Sequence, residues 1–82
     1  MDLVELTSFL VKSIVSDPDM VSVKEFVDDD SEYITIQVLV DNDVIGSVIG
    51  RQGTIANAIR TIVQASSYIN GLKKVRINID SF

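Results

Sequence analysis

Two glycines, Gly50 and Gly53, lie three residues apart between two apolar segments of the chain. Without a Cβ, a glycine lets the chain turn sharply and lets a phosphodiester approach the main chain. A helix beginning at Thr54 would point its first N–H groups and the positive end of its dipole at this turn, where both favour a phosphate. The spacing therefore predicts a clamp for a nucleic-acid backbone, in which Arg51 and Gln52 contact phosphate or sugar.

The residue types present argue against catalysis, nucleotide binding and metal binding. The chain contains no histidine and no cysteine, which removes the commonest acid–base catalyst, thiolate nucleophiles and the usual imidazole and thiolate metal ligands. Residues 46–53 lack the GxGxxG pattern of dinucleotide sites and the GK[ST] of triphosphate sites. The acidic run 28–30 with Glu32 lacks the spacing of a calcium loop, which favours a solvated turn. We expect no enzyme, no cofactor and no metal site.

The length, the absence of cysteine and the charge distribution further limit the class of protein. The 82 residues leave room for one domain, residues 1–82, and the lack of cysteine indicates a reducing compartment, by default the cytoplasm. No apolar run approaches the ~20 residues of a membrane span. The net charge is −5, but residues 1–45 hold eleven Asp or Glu against two Lys, and residues 46–82 hold five Lys or Arg against one Asp. Because exposed charges beyond ~8–10 Å are largely screened, we expect the basic half to govern contact with a nucleic acid.

The first half of the chain predicts a helix followed by two strands. Asp2 and Glu5 form a capping-box-like helix start, and residues 16–18 end the helix at a proline. Its apolar face comprises Leu3, Leu6, Leu10 and Ile14, with Val4, Val11 and Val15 alongside. The first strand carries Val21, Val23 and Val27, with Phe26 out of phase and marking a bulge. The second strand alternates Ile34, Ile36, Val38 and Val40 with Tyr33, Thr35, Gln37 and Leu39, and the acidic turn at 28–31 makes the pair antiparallel.

The second half predicts two helices around the glycines and a last strand. Residues 41–43 cap a short helix that carries Val44, Ile45, Val48 and Ile49. After the glycines, one helical face carries Ile55, Ala58, Ile59, Ile62, Val63 and Ser66, and the other carries Asn57, Arg60 and Gln64. Asn70 and Gly71 end that helix, and Val75, Ile77 and Ile79 face inward from the last strand. The order α-β-β-α-α-β predicts an α+β fold with a mixed three-stranded sheet.

The segment Val48-Ile49-Gly50-Arg51-Gln52-Gly53, followed by Ile55 and residues 58–63, resembles the signature of a KH domain. It resembles in particular the small single-domain bacterial KH proteins of the KhpA type, and the likeness covers the whole chain. This resemblance implies a type II KH domain with its helices on one face of the sheet. It also implies that the GxxG loop grips about four single-stranded nucleotides of RNA.

The family places bases in a groove between the two motif helices and the neighbouring strand. The resemblance therefore implies that Ile45, Val48, Ile49 and Ile55 line this groove, although core packing is expected for at least half of them. Thr54 lies directly after the loop and is neutral where many relatives are basic. The outer sheet face has Tyr33 as its lone aromatic residue, so we expect no RRM-type stacking platform.

The resemblance implies a non-catalytic RNA chaperone or post-transcriptional regulator, linked in bacteria with envelope growth and division. It also implies a homodimer and pairing with a larger KH-containing protein. A surplus of apolar residues supports self-association: Phe9, Leu39, Tyr68, Ile69, Leu72 and Phe82. The alternative hypothesis is a protein-interaction adaptor with a KH fold and little RNA affinity, which the net charge of −5 favours.

Overall fold

The computed structural model describes residues 2–27, 33–71 and 73–82, and these contain three helices and three strands in the predicted order α-β-β-α-α-β. The elements are α1 (Leu3–Lys12), β1 (Ser22–Val27), β2 (Tyr33–Val40), α2 (Ile45–Ile49), α3 (Thr54–Ile69) and β3 (Lys74–Ser81). Single 3₁₀ turns precede β1 and α3. The predicted acidic turn at 28–31 and Leu72 lie outside the described residues. None of the helices described is long and apolar enough to span a membrane.

β2 is the central strand of a mixed three-stranded sheet in the order β1-β2-β3. It pairs antiparallel with β1 and parallel with β3, as the sequence predicts. Val38 illustrates the register, because its Cα opposes Val23 in β1 and Ile79 in β3. The parallel pairing requires the chain to cross over between β2 and β3, and α2 and α3 make that crossover. The site discussed below lies within this connection.

Phe26 does not form the predicted bulge. β1 pairs with β2 without interruption, and Phe26 opposes Thr35 in regular register. Phe26 therefore belongs to the outer face of the sheet, where its side chain is exposed. Because Tyr33 belongs to the same face, the prediction of a lone aromatic there was also wrong. The Tyr33 ring lies beneath the guanidinium of Arg76, with 4.6 Å from the ring centroid to Cζ.

The hydrophobic core lies between the inner face of the sheet and the helices. The alternation predicted for β2 is confirmed: its inner residues are buried and the residues between them are more exposed. The buried apolar residues of the chain described are Leu3, Val11, Ile34, Ile36, Val38, Val40, Val48, Ala56, Ile59, Val63 and Ile77. The helices therefore cover one face of the sheet, as expected for a KH domain.

α1 begins as predicted but ends early. Asp2 Oδ1 accepts a hydrogen bond of 2.7 Å from the Glu5 N–H, which satisfies one free donor of the first turn. The helix ends at Lys12, before the predicted stop at residues 16–18. Ile14 consequently lies beyond the helix and is exposed, so its assignment to the apolar face was wrong.

The buried face of α1 is rotated from the predicted one. Its buried positions are Leu3, Thr7 and Val11, spaced four residues apart, while Leu6 and Leu10 are half-buried at the margin. Thr7 can enter the core because its hydroxyl donates to the Leu3 carbonyl at 2.7 Å, so no polar atom is left unpaired there.

α3 packs on the sheet through a face that is rotated from the predicted one and shares Ile59 and Val63 with it. Its buried residues are Ala56, Ile59, Val63 and Ser67. Ile55, Ala58 and Ile62 were assigned to the core face, and all three are exposed. The helix carries two apolar strips at similar spacing, and periodicity alone does not decide which strip meets the sheet. We call the exposed one the α3 outer strip; it consists of Ile55, Ala58, Ile62, Ala65 and Ile69.

Candidate nucleic-acid interface

A turn stabilised by Asp41 precedes α2, and α2 leads directly to Gly50, the first glycine of the loop. Asp41 Oδ1 accepts from the Asp43 N–H at 3.1 Å, and the Asp41 carbonyl accepts from the Val44 N–H at 3.0 Å. The N-cap of α2 is Val44, which makes no side-chain hydrogen bond. The prediction that residues 41–43 cap this helix was therefore wrong in detail, since Asp41 holds the turn before the helix.

Gly50 ends α2 in a conformation that only glycine adopts readily. Its φ of 76° and ψ of 175° lie in a region closed to side chains, and its N–H donates to the Gly46 carbonyl at 2.9 Å. A Cβ added at Gly50 would lie 2.7 Å from Ile55 Cγ1 and 3.0 Å from the Ile55 nitrogen. The turn therefore packs directly on the first residues of α3 and leaves no space for a side chain at this point.

The loop residues Arg51–Gly53 form a single 3₁₀ turn. The Gly53 N–H closes it by donating to the Gly50 carbonyl at 3.2 Å. Gln52 and Gly53 both have positive φ, 56° and 76°, and Gln52 is the one non-glycine residue with positive φ in the part of the chain described. Two successive left-handed residues reverse the chain within this short distance, and the side chains of Arg51 and Gln52 stay exposed.

α3 begins immediately after the turn with an open N-terminus. Its N-cap residue is Gly53, which has no side chain to accept a hydrogen bond. The Thr54 hydroxyl donates to the Arg51 carbonyl, so Thr54 fastens the loop to the helix instead of capping the helix. The first-turn N–H groups therefore have no side-chain acceptor at the cap position, and the positive end of the helix dipole lies beside the loop.

The four apolar residues predicted to line a groove lie in different environments. Val48 is completely buried and belongs to the core, so it offers no surface to a base. Ile45 is half-buried and packs against the core. Ile49 and Ile55 are each 37% exposed, one before the loop and one after it. Core packing was expected for at least half of the four and holds for Val48 and for much of Ile45, so the exposed apolar surface consists of parts of Ile45, Ile49 and Ile55.

A polar face of α3, for which the sequence predicted no role, follows the edge of β3. Arg60 Nε donates to the Ile77 carbonyl at 3.3 Å, and Arg60 Nη1 donates to Asn57 Oδ1 at 3.1 Å. One turn further on, Gln64 Oε1 accepts from the Val75 N–H at 2.9 Å. The spacing of residues 57, 60 and 64 on one helical face was the available signal. It did not show that a strand edge lies beside that face.

β3 is an edge strand, and these contacts occupy part of its outer edge. Because the Val75 N–H bonds to Gln64, the backbone groups of Val75 point away from β2. Alternate residues of a strand in a ladder have their backbone groups on the same side, so those of Ile77 also point away. Arg60 and Gln64 of α3 thus occupy two backbone groups on the outer edge of β3.

Four of the five cations of the basic half are divided between two surfaces, and the fifth, Lys73, precedes β3. Arg51 lies in the loop and Arg60 lies on the polar face of α3. Lys74 and Arg76 belong to the outer sheet face, on the far side of the sheet from the loop and helices. The positive charge near the loop is therefore more modest than the charge of residues 46–82 suggested.

The model of the "KhpA/KhpB, KH domain" family matches residues 4–79 of the chain. The chain belongs to the KhpA/KhpB family of KH domains. The RNA-binding protein KhpA of Streptococcus pneumoniae serotype 4 is 41% identical over 81 residues, which cover 98% of each protein. The RNA-binding protein KhpA of Clostridium perfringens is 41% identical over 75 residues, covering 92% of this chain and 96% of that protein. The KhpA/KhpB family is non-catalytic, in agreement with the expectation from composition.

Part of each of two solved structures of Era shares the fold of this chain. A variant of Aquifex aeolicus Era bound to GDP and AlF4− superposes with a TM-score of 0.71 at 15% identity, covering 98% of this chain and 30% of that one. Era in complex with MgGDPNP and nucleotides 1506–1542 of 16S ribosomal RNA gives 0.66 at 17% identity, covering 96% and 29%. At such identities the likeness concerns the fold alone.

Proposed function

We propose that this chain binds single-stranded RNA and grips about four nucleotides at the Gly50–Gly53 loop. The observation that carries the proposal is the open N-terminus of α3 at the loop, where the N-cap residue Gly53 has no side chain to accept a hydrogen bond. A phosphodiester at this point would lie beside the open first turn of α3 and the positive end of its dipole.

The side chains around the loop have separate roles in this proposal. Arg51 pairs with phosphate, and Gln52 donates or accepts hydrogen bonds at phosphate or sugar. Thr54 holds the loop against α3 through its bond to the Arg51 carbonyl. The exposed parts of Ile45, Ile49 and Ile55 receive the faces of bases, and Val48 supports them from the core.

The relatives support this proposal by their extent of similarity. Proteins named RNA-binding protein KhpA match almost the whole of the chain, so the similarity includes the loop together with the helices and strands around it. By the same similarity we propose a cytoplasmic RNA chaperone or post-transcriptional regulator, linked to envelope growth and division. A larger KH-containing protein is the proposed heteromeric partner.

A homodimer forms part of the proposal, because one KH module with a small basic surface binds weakly. Two modules on one RNA can raise apparent affinity by ~10²–10⁴-fold when both engage together. We assign self-association to the part of the α3 outer strip beyond Ile55, which comprises Ala58, Ile62, Ala65 and Ile69. Ile62 is 46% exposed and Ile69 is 84% exposed, although both are large and apolar.

The spacing of the α3 outer strip suits a helix pair. Its residues recur at alternating intervals of three and four, which is the a/d pattern of a coiled-coil seam. Isoleucine and alanine alternate along it, so a second copy of the strip can place its isoleucines against the alanines. A two-fold dimer brings the same patch of both protomers together, and α3 is long enough, at about 24 Å for 16 residues, to form such a seam.

The competing function is a protein-interaction adaptor with little RNA affinity. The observations that favour it are the net charge of −5 and the position of Lys74 and Arg76 away from the loop. Under this hypothesis the loop contacts a protein, and RNA competes weakly or not at all. Direct binding to RNA separates the two functions.

The decisive experiment replaces Arg51 and Gln52 together by Asp and measures affinity for a single-stranded oligoribonucleotide. Aspartate tolerates the positive φ at position 52, so the main effect is to set two carboxylates against phosphate. We expect RNA binding to be abolished while circular dichroism and thermal unfolding stay unchanged.

A matched control makes the same change of charge on the outer sheet face. Lys74→Asp with Asn78→Asp alters two exposed residues of β3 and removes the same net charge as the loop variant. RNA affinity should change little in this control. Equal affinities for the folded loop variant and the wild-type protein would refute the clamp and favour the adaptor.

A further inference from the structure

The part of the α3 outer strip assigned to self-association is complementary to its own reversed copy. Its four residues are exposed and alternate small and large side chains: Ala58, Ile62, Ala65 and Ile69. The intervals between them are the same in both chain directions, but the order of small and large residues is exchanged when the strip is reversed. Each isoleucine of one copy can therefore face an alanine of a reversed second copy.

The relative direction of two α3 helices decides how well these strips pack. In an antiparallel pair centred midway between Ile62 and Ala65, Ile62 faces Ala65 of the partner subunit. By the same symmetry, Ile69 faces Ala58 of the partner subunit, so every layer of the seam holds one large and one small side chain. In a parallel pair, layers of two isoleucines alternate with layers of two alanines, and one interhelical distance cannot fill both kinds of layer. Packing therefore favours the antiparallel pair.

Electrostatics on α3 agree with this direction. Arg60 is the only charged residue of α3, and its Nε donates to the Ile77 carbonyl of β3. The seam therefore brings no like charges of the two helices together. Antiparallel helices also place the positive end of each dipole beside the negative end of the other, which parallel helices do not.

An antiparallel seam fixes where the two RNA clamps lie. Thr54, the first residue of α3, is about nine and a half residues from the centre of the seam, or ~14 Å at about 1.5 Å per residue. The partner subunit's Thr54 lies equally far on the other side, so the two Gly50–Gly53 loops are ~28 Å apart along the seam. The seam ends at Ala58, one turn before the loop, and leaves both loops uncovered.

We propose that this chain forms an antiparallel α3 dimer that selects RNAs with two single-stranded segments, joined by a spacer that reaches between the two loops. Each loop holds one segment. An RNA whose second segment cannot cover ~28 Å engages one clamp only, because a linker shorter than the span gives no effective concentration at the second site. The inference rests on the proposed RNA binding and self-association, and it adds to them a direction and a distance.

Introduced cysteines test the direction of the helices, because the chain contains no cysteine. In the antiparallel pair the two copies of Ala58 are ~16 Å apart along the seam, which is too far for a disulfide, and Ala58 faces Ile69 of the partner subunit. We expect a mixture of Ala58→Cys and Ile69→Cys chains to form an interchain disulfide under mild oxidation. Neither variant alone should form one.

Tethered RNAs test the distance between the loops. Tetrauridine measures one clamp, and the other probes join two tetrauridine segments through abasic spacers of increasing length. With a short spacer, affinity should stay near that of tetrauridine. Once the spacer reaches the second loop, we expect affinity to rise by at least about tenfold and then to decline slowly as the spacer lengthens.

Two lysine variants connect that rise to the seam. Ile62→Lys places a charge within the seam, so it should abolish the rise and retain the affinity for tetrauridine. Phe9→Lys adds the same charge to an exposed position of α1, outside the seam, and should retain the rise. Because both variants gain one positive charge, a general increase in attraction to RNA is common to them.

The outcomes separate this arrangement from the clamp itself. Normal binding of tetrauridine with no rise at any spacer length, or with an equal rise in Ile62→Lys, would overturn the selection of two segments and leave the clamp in place. A disulfide in Ala58→Cys alone, or none in the mixture, would overturn the antiparallel seam. Failure of the wild-type protein to bind tetrauridine would refute the clamp and the RNA selection with it, whereas the cysteine variants would still decide the direction of the helices.

Discussion

Gly50 and Ile55 are packed so closely that a Cβ on the glycine would lie 2.7 Å from Ile55 Cγ1. The contact joins the end of α2 to the start of α3 across the loop. The Ile55 Cβ and nitrogen would each lie 3.0 Å from the same added Cβ, so no change of the Ile55 rotamer could relieve the clash. The loop geometry therefore depends on the absence of a single methyl group.

Replacement of Gly50 by Ala should lower the free energy of unfolding by about 3 kcal/mol, because backbone strain adds to the clash with Ile55. Gly53→Ala should cost only about 1–2 kcal/mol, since its Cβ would meet Asn57 Nδ2 at an ordinary 3.8 Å and only the left-handed backbone is unfavourable. Urea denaturation measures both. Ile55→Ala should rescue Gly50→Ala only slightly, because the Ile55 nitrogen remains.

Gly46→Ala provides the control for the glycine series. Gly46 is helical, and a Cβ there would meet no atom within 4 Å, so alanine should raise the free energy of unfolding by about 0.5–1 kcal/mol. Equal losses at positions 46 and 50 would contradict the close contact between Gly50 and Ile55.

Replacement of Ile62 by Lys should dissociate the proposed homodimer and raise its dissociation constant by at least about tenfold, because a charge would be placed inside an apolar seam. Sedimentation over micromolar concentrations measures the change. The partly exposed position of Ile62 lets the monomer keep its fold.

The control for self-association is Phe9→Lys on α1. Phe9 is exposed and was among the residues that the sequence favoured for self-association, but it lies outside the α3 outer strip. This variant should remain dimeric. A monomeric Phe9→Lys together with a dimeric Ile62→Lys would transfer the interface to α1.

RNA affinity should depend only moderately on salt. If two or three phosphates are neutralised, log affinity should fall against log salt with a slope of roughly −1.4 to −2.1, at about 0.7 per phosphate. Arg51→Gln should reduce the slope by about 0.7, whereas Lys74→Gln on the outer sheet face should leave it unchanged. Titrations at several salt concentrations give the slopes. A slope steeper than about −4 would show that the outer face also contacts RNA.

The strands and the loop were predictable because each sequence pattern that indicated them is compatible with only one structure. Residues 34–40 alternate with a period of two, and a single buried face satisfies that pattern. Gly50 and Gly53 stand where positive φ angles are required, which their residue type already indicates. Gln52 gave no such indication, because its left-handed backbone follows from the glycines on either side.

The faces of the helices were not predictable from periodicity. On α3, Ile59 and Val63 face the sheet while Ile55 and Ile62 face outward, and apolar residues surround much of the helix. On α1, Thr7 would be placed outside by its polarity, but its hydroxyl bonds within the helix and allows burial. Tertiary packing decides both cases. Of the residues named as surplus apolar surface, Phe9, Tyr68, Ile69 and Phe82 are exposed, and Ile55 and Ile62 of α3, which were expected in the core, are exposed as well.

Arg60 and Gln64 also affect whether neighbouring molecules can join their sheets. A strand edge with open N–H and C=O groups is a template for foreign strands and hence for aggregation. On β3, Gln64 occupies the Val75 N–H and Arg60 occupies the Ile77 carbonyl, so an incoming strand must first displace two side chains. The opposite edge strand, β1, exposes Lys24 and Glu25, and charges there oppose the same event. Pairing between the sheets of neighbouring copies is therefore opposed at both edges.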